Sequence, residues 1–315
     1  MYYSKIILFL LIFFVVDFFI RTLIPLLGNI FIEIPNERSS HKYPKLKSGG
    51  IFFIIPVLIY ILIEINLQIN NQLSYILFLC SLLGFIGFID DLLDLSSKLR
   101  YIFQIIICSL IINNTYNEFL LEEKYFYFFC LIIFGTGIIN LLNFMDGLDG
   151  LLIGSLFPLL IYSQLNGIDP KIFILIASML AFLKWNWEPS KIFMGDSGSN
   201  FLGALIFYLL ISNNHMYIDY KSFFIIFPLM FDSTLCIVYR FINKENIFVA
   251  HNKHIYQRLH QAGINHSKIS SIYISFCCIN FLITLNFKSV FFIIAIISEI
   301  IILLFLDKNF AKKFS

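Results

Sequence analysis

Long apolar stretches alternate with short polar stretches along almost the whole chain. A membrane-spanning helix needs roughly 20 apolar residues, with about 17–25 the usual range. We predict spans at approximately residues 6–32, 51–69, 73–89, 101–113, 125–142, 151–165, 171–187, 201–212, 222–241, 269–285 and 289–306. Only helices satisfy their own backbone hydrogen bonds in lipid at this hydrophobicity. The pattern therefore predicts an all-α polytopic membrane protein with about eleven transmembrane helices.

Composition supports this class. The 315 residues are 59% hydrophobic and only 13% charged, whereas soluble domains average about 45–50% apolar and about 25% charged residues. Neither a soluble domain nor a flexible linker is visible, so we expect one membrane domain over residues 1–315. The N-terminal apolar stretch resembles a signal peptide, but no small-residue cleavage site follows it. We therefore expect it to be retained as the first span.

The basic residues are distributed unevenly between the two sets of loops that this topology defines. One set contains sixteen Lys and Arg residues and the other contains five, although the net charge is only +2. The positive-inside rule assigns the richer face to the cytoplasm. Because the number of spans is odd, the N-terminus is expected outside and the C-terminus in the cytoplasm.

The six cysteines all lie in apolar stretches, without a CxxC or Cys/His metal-binding spacing. We expect them to act as small apolar packing residues, which is common for free cysteine.

Five polar segments fall on the predicted cytoplasmic face. They lie at about residues 33–50, 90–100, 140–151, 186–199 and 242–268. Taken singly, each has an ordinary explanation as a solvated helix end, a turn or a lipid-headgroup contact. Their occurrence on one face indicates a shared site.

The chemistry of these segments favours phosphoryl transfer. Five carboxylates, at Asp90, Asp91, Asp146, Asp149 and Asp196, offer the hard oxygen ligands that Mg²⁺ uses. Glycine-rich turns before predicted helices allow backbone N–H groups to approach phosphate oxygens. Cations are available to balance a diphosphate at Lys42, Lys45, Lys47, Arg240, His251, His254 and Arg258. A soluble phosphate donor would enter from the cytoplasm, and a membrane protein that binds it there is expected to have a lipid acceptor.

The polar segments also resemble a known family in their order and spacing. The resemblance is carried by Gly49-Gly50, Asp90-Asp91, NxxNxxDGxDGL from Asn140 to Leu151, NxxPxxxFMGDxGS from Asn186 to Ser199, and His251-x-x-His254. The family is that of the polyprenyl-phosphate N-acetylhexosamine-1-phosphate transferases, which are grouped with the phospho-MurNAc-pentapeptide transferases. The two long central motifs are highly specific, and the resemblance extends over roughly residues 33–263.

The resemblance implies transfer of a sugar 1-phosphate from a UDP-sugar to undecaprenyl phosphate, with release of UMP. It also implies Mg²⁺, with Mn²⁺ as the alternative, and a metal contact at Asp196. We expect catalytic roles for Asp90, Asp91, His251 and His254. We expect substrate contacts at Lys42, Lys47, Asn143, Asp146, Asp149, Asn186, Phe193 and Arg258. Among these, Asp90 matches a carboxylate that deprotonates the lipid phosphate, and Phe193 matches an aromatic ring that stacks on uracil.

The last polar segment indicates a branch within the family. Residues 250–259, AHNKHIYQRL, resemble transferases that initiate O-antigen or similar surface glycans, and differ from the triple histidine of the cell-wall branch. An N-acetylated hexosamine or its 6-deoxy derivative is therefore expected as the sugar, and MurNAc-pentapeptide is the alternative. Asp94 also departs from the cell-wall branch, which usually has lysine there.

The expected location is a bacterial inner membrane, with the active site on the cytoplasmic face. Membrane lipid is an expected partner, nucleic acid is not, and a homodimer is compatible with the sequence.

Two other function classes stay open at this point. A transporter is suggested by ionisable residues in or near apolar stretches, at Asp17, Arg21, Glu64, Asp232 and Glu299. Asp17 and Arg21 are four residues apart and could pair on one helix face. However, each polar motif occurs once, whereas transporters usually contain repeats. A lipid phosphatase would use similar carboxylates.

Within the transferase class, direct attack by the lipid phosphate and a covalent intermediate on Asp90 are both open.

Overall fold

The computed structural model describes residues 2–27, 32–33, 44–69, 71–116, 125–167, 171–212, 218–246, 249 and 251–314. Over these residues the fold is helical apart from two short strands. The elements are α1 (Tyr2–Leu27), β1 (Ile32–Glu33), β2 (Lys45–Leu46), α2 (Ile51–Asn66), α3 (Gln72–Leu93), α4 (Ser97–Thr115), α5 (Tyr125–Phe144), α6 (Leu151–Leu165), α7 (Lys171–Asn186), α8 (Gly195–Ile211), α9 (Tyr220–Ile225), α10 (Phe227–Ile242), α11 (Ile255–Gln261), α12 (His266–Asn286) and α13 (Ser289–Phe310). The strands pair antiparallel, with Ile32 opposite Leu46.

Several helices have the length and composition of membrane spans. Five of the described helices, α1, α3, α5, α12 and α13, are long and apolar enough to cross a bilayer, and α2, α6 and α8 are shorter apolar helices. This confirms a polytopic helical membrane protein, and each predicted span overlaps a helix of the structure.

The structure departs from the predicted elements in three places. The segment predicted as one span at 222–241 forms two helices, α9 and α10, that meet at Ile226. Pro228 lies in the first turn of α10 and has no N–H with which to continue the hydrogen bonds of α9. The other differences are the short helix α11, inside a segment predicted as a loop, and the pair of two-residue strands.

The helix α8 lies at the centre of the fold. All side chains from Ser197 to Ile211 are buried, and α8 packs mainly against α3 and α5. A helix that is apolar on every face is stable only when it is enclosed. Its length, which is short for a span, therefore fits a position inside the protein.

Two glycines of α3 allow α8 to approach closely. A Cβ atom at Gly84 would lie 2.7 Å from Cδ1 of Ile54 and 3.0 Å from the carbonyl oxygen of Ser197. A Cβ atom at Gly87 would overlap the carbonyl group of Asp196. This contact places the C-terminal end of α3, with its two aspartates, beside the N-terminal end of α8.

Two of the ionisable residues in apolar stretches form ion pairs between helices. The charge of Arg21 acts on Asp17 as expected, but the hydrogen-bond partners of Asp17 lie on α7. Its carboxylate accepts hydrogen bonds from Lys184 at 2.8 Å and from the Trp185 indole at 2.7 Å. Glu64 lies 3.1 Å from Lys171 Nζ, and both side chains are buried. These pairs join α7 to α1 and α2, which gives both carboxylates a structural role.

Candidate active site

Asp91 joins the end of α3 to the start of α8. Its carboxylate accepts hydrogen bonds from the backbone N–H groups of Asp196, at 3.1 Å, and Ser197, at 3.4 Å. Ser48 Oγ donates to Oδ2 at 2.8 Å, and Lys47 Nζ lies 3.2 Å from Oδ1. A carboxylate at a helix N-terminus satisfies amides that lack a partner within the helix and interacts favourably with the helix dipole. Asp91 thus holds Asp196 in place.

Asp90 and Asp196 converge on one cation. Arg100 Nη1 donates to Oδ2 of Asp90 at 2.9 Å and to Oδ2 of Asp196 at 3.2 Å. Asp90 is buried, and its second oxygen accepts the Leu95 N–H at 2.8 Å. Arg100 is 37% exposed, so its guanidinium is able to swing towards solvent without disrupting the core.

This arrangement fits a divalent cation. One oxygen of each carboxylate already contacts the guanidinium of Arg100. Mg²⁺ binds hard oxygen ligands and usually keeps several water molecules, so it suits a site with an open, solvated side. Asp196, predicted as a metal contact, would share the ion with Asp90. In this structure the positive charge between the two carboxylates is the guanidinium of Arg100.

Two glycines are required by the close packing around these carboxylates. Gly195 has φ +72, and a Cβ atom there would overlap Oδ2 of Asp91. A Cβ atom at Gly50 would overlap the backbone of Gly198. Backbone hydrogen bonds from Gly49 to Phe193, at 2.8 Å, and from Gly50 to Met194, at 2.9 Å, hold the two segments together. The Gly-Gly pair of the sequence motif is thus explained by a contact with the Gly-Asp-Ser-Gly segment.

A second group of polar side chains surrounds Asp149. Lys45 Nζ lies 3.3 Å from Oδ2, donates to Ser190 Oγ at 2.6 Å and lies 4.7 Å from the centre of the Phe193 ring. The Ser190 N–H donates to Oδ2 at 3.1 Å. His266 Nδ1 lies 3.3 Å from Oδ1. A carboxylate, a cation and an aromatic face are therefore adjacent.

The charge of Asp149 is secured by these neighbours. Burial alone would raise its pKa, but the hydrogen bond and charge of His266, together with Lys45, outweigh burial and lower the pKa to about 2. Asp149 is therefore ionised at neutral pH, and it holds Lys45 beside the Phe193 ring.

The predicted amide residues lie beside this group. Asn186 is buried, accepts the Gly150 N–H at 3.0 Å and donates to the carbonyl oxygen of Ile192 at 2.9 Å. Asn143 accepts a hydrogen bond from Ser199 Oγ at 2.8 Å. Asp146 is half-buried. Asn186 thus joins the DGLDG turn to the segment that contains Phe193, so it supports the pocket through the backbone.

The histidine segment is held by a buried carboxylate. Asp232 accepts the N–H groups of Ile255, at 2.8 Å, and Tyr256, at 3.1 Å, and so caps α11 from the neighbouring helix α10. Tyr256 donates its hydroxyl to the Phe144 carbonyl oxygen at 2.7 Å. A Cβ atom at Gly147 would overlap this hydroxyl, so the first glycine of the DGLDG turn leaves room for it. These contacts join the histidine segment to the turn.

His251 and His254 lie close together, with ring centres 4.9 Å apart. Burial, with added repulsion from His254 and Arg240, lowers the pKa of His251 to about 4, so this ring is neutral at pH 7. Cys236 brings a third ligand atom within 4.8 Å of the two histidine ligand atoms. Sulfur and imidazole are not the ligands that Mg²⁺ prefers. Cys236 therefore lies in a polar environment that its apolar sequence context did not indicate.

Two predicted cations remain to be placed. Arg258 is buried and donates to the carbonyl oxygens of Lys253, at 2.9 Å, and Lys312, at 3.0 Å, and to the carboxylate of Asp307. Its guanidinium is therefore engaged by the C-terminal segment, and the structure gives no support to the expected substrate contact. Lys42 lies outside the described residues.

Sequence reasoning did not assign Arg100, His266 or Ser190 to the site. Arg100 lies at the end of the predicted segment 90–100, but the sequence gives it no role of its own. Asp232 stands out in the sequence as an ionisable residue in an apolar stretch, four residues after Pro228. The partners of these side chains lie far away in the sequence, so no local pattern identifies them.

Comparison with known proteins identifies related sequences. Residues 73–214 match the model of glycosyl transferase family 4. A probable undecaprenyl-phosphate N-acetylglucosaminyl 1-phosphate transferase of Bacillus subtilis is 29% identical over 77% of this chain and 74% of its own length. A phospho-N-acetylmuramoyl-pentapeptide-transferase of Petrotoga mobilis is 36% identical over 50% of this chain and 57% of its own length. An undecaprenyl-phosphate alpha-N-acetylglucosaminyl 1-phosphate transferase of Thermotoga maritima is 26% identical over 76% of this chain and 77% of its own length.

Proposed function

We propose that this chain, whose residues 73–214 match the model of glycosyl transferase family 4, transfers an N-acetylated hexosamine 1-phosphate from a UDP-sugar to undecaprenyl phosphate. UMP is the second product. The observation that carries the proposal lies at the junction of α3 and α8, where Arg100 pairs with Asp90 and Asp196. Lys47 pairs with the neighbouring Asp91. Such a centre suits phosphoryl transfer, where catalysis is mainly positioning and charge stabilisation.

The donor is proposed to bind beside Asp149. The Phe193 ring offers a face for uracil, and Lys45, adjacent to that ring, offers a positive charge for the diphosphate. Asp149 and Ser190 hold the ammonium group of Lys45. Neutral His251, together with His254, is proposed to contact the donor from the other side of the DGLDG turn.

The acceptor is proposed to bind beside Asp90 and Asp91. Lys47 and Ser48, which both contact Asp91, offer a cation and a hydroxyl donor to the lipid phosphate. Asp90 is proposed to accept a proton from that phosphate. The lipid phosphate oxygen then attacks the sugar-bearing phosphorus of the donor directly, and UMP leaves.

Asp196 and Asp90 would hold Mg²⁺, displacing Arg100 from between them. When bound, the ion would neutralise charge on the donor diphosphate. Mn²⁺ is the alternative ion.

The sugar is proposed to be an N-acetylated hexosamine or its 6-deoxy derivative, because the histidine segment resembles the branch that initiates surface glycans. Phospho-MurNAc-pentapeptide transfer is the second candidate. It is favoured by the 36% identity to the Petrotoga protein.

We also propose eleven spans, an outside N-terminus and a bacterial inner-membrane location with the site on the cytoplasmic face. The basic-residue asymmetry supports this sidedness. A homodimer is the alternative assembly to a monomer.

A panel of donors tests the substrate assignment. Purified protein in detergent is incubated with undecaprenyl phosphate, Mg²⁺ and one UDP-sugar at a time, and UMP release is measured. The proposal expects release with a UDP-N-acetylhexosamine, and a KM for that donor raised about tenfold in Lys45→Met while the acceptor KM is unchanged. Release only with UDP-MurNAc-pentapeptide would support the second candidate instead.

A further inference from the structure

A cysteine and two histidines bring their ligand atoms together at the start of the histidine segment. Cys236 Sγ lies 3.9 Å from His251 Nδ1. His254 completes a group in which one ligand atom of each residue lies within 4.8 Å of the others. Cys236 belongs to α10, whereas His251 and His254 lie in the segment that leads into α11. Tertiary packing therefore creates this cluster, and the sequence spacing does not show it.

The spacing of these atoms suits a tetrahedral zinc ion. Zinc–sulfur bonds of about 2.3 Å and zinc–nitrogen bonds of about 2.0–2.1 Å imply a sulfur–nitrogen distance of about 3.5 Å in such a site. The distance between Cys236 Sγ and His251 Nδ1 is slightly longer, at 3.9 Å, so small side-chain rotations are sufficient to bind the ion. His251 Nδ1 also accepts the Lys253 N–H at 3.3 Å, a long hydrogen bond that a metal would replace.

The ring of His254 is buried without full hydrogen bonding. Its Nδ1 has no hydrogen-bond partner among the residues that the structure describes, and Asp232 Oδ1 lies 3.7 Å away. An imidazole that binds a metal usually has a carboxylate beside its other nitrogen, and an apolar shell around the site limits access of solvent. Asp232 is placed as such a carboxylate, and the rings of Phe144 and Tyr256 lie 5.8 Å and 5.6 Å from the His254 ring.

The positive charges near the cluster are balanced within the same segment. Arg240 and Lys253 both act electrostatically on His251, and both would repel a metal ion if they stood alone. Glu245 pairs with each of them, at 3.1 Å from Arg240 Nε and 2.7 Å from Lys253 Nζ. This shared carboxylate reduces the repulsion that a cation would meet beside His251.

The ligand set selects the metal. Thiolate and imidazole are ligands of Zn²⁺, whereas Mg²⁺ prefers oxygen. Three protein ligands leave one position of a tetrahedral ion open, as in zinc sites that exchange a water molecule. His251 is only half-buried, so solvent reaches the cluster from its side. On binding, the metal replaces the thiol proton of Cys236, which passes to solvent.

We propose that Cys236, His251 and His254 bind Zn²⁺, and that the bound ion withholds the two histidines from the UDP-sugar donor. The zinc site stands on the cluster itself, whereas the inhibition rests on the proposed transferase function. Zn²⁺ then acts through ligands other than the carboxylates proposed for Mg²⁺. It raises the apparent KM for the UDP-sugar and leaves the KM for undecaprenyl phosphate unchanged.

Cobalt spectroscopy tests the metal site without reference to activity. Purified protein in detergent is titrated with Co²⁺, which replaces Zn²⁺ and gives a near-ultraviolet charge-transfer band when a thiolate is bound. Wild-type protein should show this band at one Co²⁺ per chain, and added Zn²⁺ should abolish it. Cys236→Ser should lose the band, because a neutral hydroxyl keeps the size of the side chain but is a poor ligand.

Cys278→Ser is the matched control for this titration. Cys278 is a half-buried cysteine of α12 and does not belong to the cluster. The control should keep the full band. Absence of the band from wild-type protein, or an unchanged band in Cys236→Ser, would overturn the zinc site.

Inhibition of UMP release tests the second part of the inference. At a fixed Mg²⁺ concentration, Zn²⁺ should inhibit wild-type protein, and additional UDP-sugar should relieve the inhibition. Loss of even an outer partner of a metal site lowers its affinity about 10–100-fold. Cys236→Ser should therefore need at least about tenfold more Zn²⁺ for half-inhibition, while its activity without Zn²⁺ stays within about twofold of wild type.

Two results of this assay have different meanings. Equal inhibition of wild-type protein and Cys236→Ser by Zn²⁺ would overturn the proposed inhibition through the cluster. Absence of UMP release from wild-type protein with every donor would overturn the transferase function, and the cobalt band would still decide whether the zinc site exists.

Discussion

At the scale of single residues, the carboxylates of the centre have different tasks because their partners differ. Asp91 accepts two backbone amides and contacts Lys47, so it is primarily a positioning residue. Asp149 holds Lys45 beside Phe193. Asp90 and Asp196 share one partly exposed cation, Arg100, and are the pair that we propose for a metal ion.

Asp196→Asn should lower kcat about a thousandfold, because it removes one of the two carboxyl groups of the proposed ion site. The side chain keeps its shape, so the unfolding temperature should change little. Asp94→Asn is the matched control: Asp94 is exposed and has φ 49, a conformation that Asn also adopts readily. UMP release and thermal unfolding are measured on both variants. Near-normal turnover in Asp196→Asn would contradict the ion assignment.

His251 predicts a pH dependence of stability. Its pKa is about 4 in the folded protein, whereas an unfolded histidine has a pKa of about 6.5. Between these values the unfolded chain binds a proton that the folded chain does not, so the free energy of unfolding falls as the pH drops from about 6.5 towards 4. The expected loss from this residue is about 1–2 kcal/mol after solvent screening.

His251→Gln should remove this part of the slope when thermal unfolding in detergent is followed between pH 7 and pH 5. A variant with the same slope as wild type would show that other groups account for the pH dependence.

The clustering of the proposed site residues was predictable from sequence, whereas their roles stay predictions. Asp90, Asp91, Asp149, Phe193 and Asp196 all lie around the α3–α8 junction and the DGLDG turn, as the clustering of polar segments on one face indicated. Arg258 was not predictable, because its partners are on the C-terminal segment, far from its own motif. The contacts of Arg258 follow from tertiary packing, and a local sequence pattern does not show them.

At the scale of elements, the active centre depends on how closely α3 and α8 approach. Gly84 and Gly87 leave no side chain between the two helices, and Asp91 then caps α8 from α3. A comparable cap joins α10 to α11 through Asp232. In both cases a carboxylate on one helix fixes the start of another, so the catalytic segments are held by elements that are themselves enclosed.

Gly87→Ala should lower kcat by about tenfold or more, because the added methyl group must displace the Asp196 backbone. The helical conformation of α3 itself accepts alanine readily. Gly137→Ala in α5 is the matched control, since a Cβ atom there meets nothing within 4 Å, and it should leave activity unchanged and stability equal or slightly higher. UMP release and unfolding temperature are compared for the two. Equal activities would show that the α3–α8 distance is not critical.

The elements themselves were largely predictable. Each predicted apolar stretch overlaps a helix, and the short stretches at 101–113 and 201–212 extend into flanking polar residues as α4 and α8. The break between α9 and α10 was not predicted, because the apolar pattern continues through Pro228. The helix α11 was not predicted either, because its stability comes from the Asp232 cap and from burial against neighbouring helices, not from its own length.

At the scale of the whole molecule, the polar segments are joined at one end of the helices, and the Glu64–Lys171 pair lies towards the opposite end. The asymmetry of basic residues favours the proposed cytoplasmic location of the polar end. Under the proposed function, a soluble nucleotide donor and a membrane-embedded acceptor meet at this end.

Cysteine accessibility tests this orientation. Lys288, before α13, and Lys268, in the first turn of α12, are both exposed and lie at opposite ends of α12. In intact spheroplasts, a membrane-impermeant maleimide should modify Lys288→Cys and leave Lys268→Cys unmodified, with the unsubstituted protein as background. The reverse pattern would invert the topology and place the site outside.

The most direct test of the central claim is the identity of both products. Purified protein, Mg²⁺, a UDP-N-acetylhexosamine and undecaprenyl phosphate are combined, and the lipid and nucleotide products are measured by mass spectrometry. The account predicts undecaprenyl diphosphate carrying the sugar, in equal amount to UMP, and neither product when one substrate is omitted. Release of inorganic phosphate from undecaprenyl phosphate without UMP would contradict transfer and indicate a lipid phosphatase.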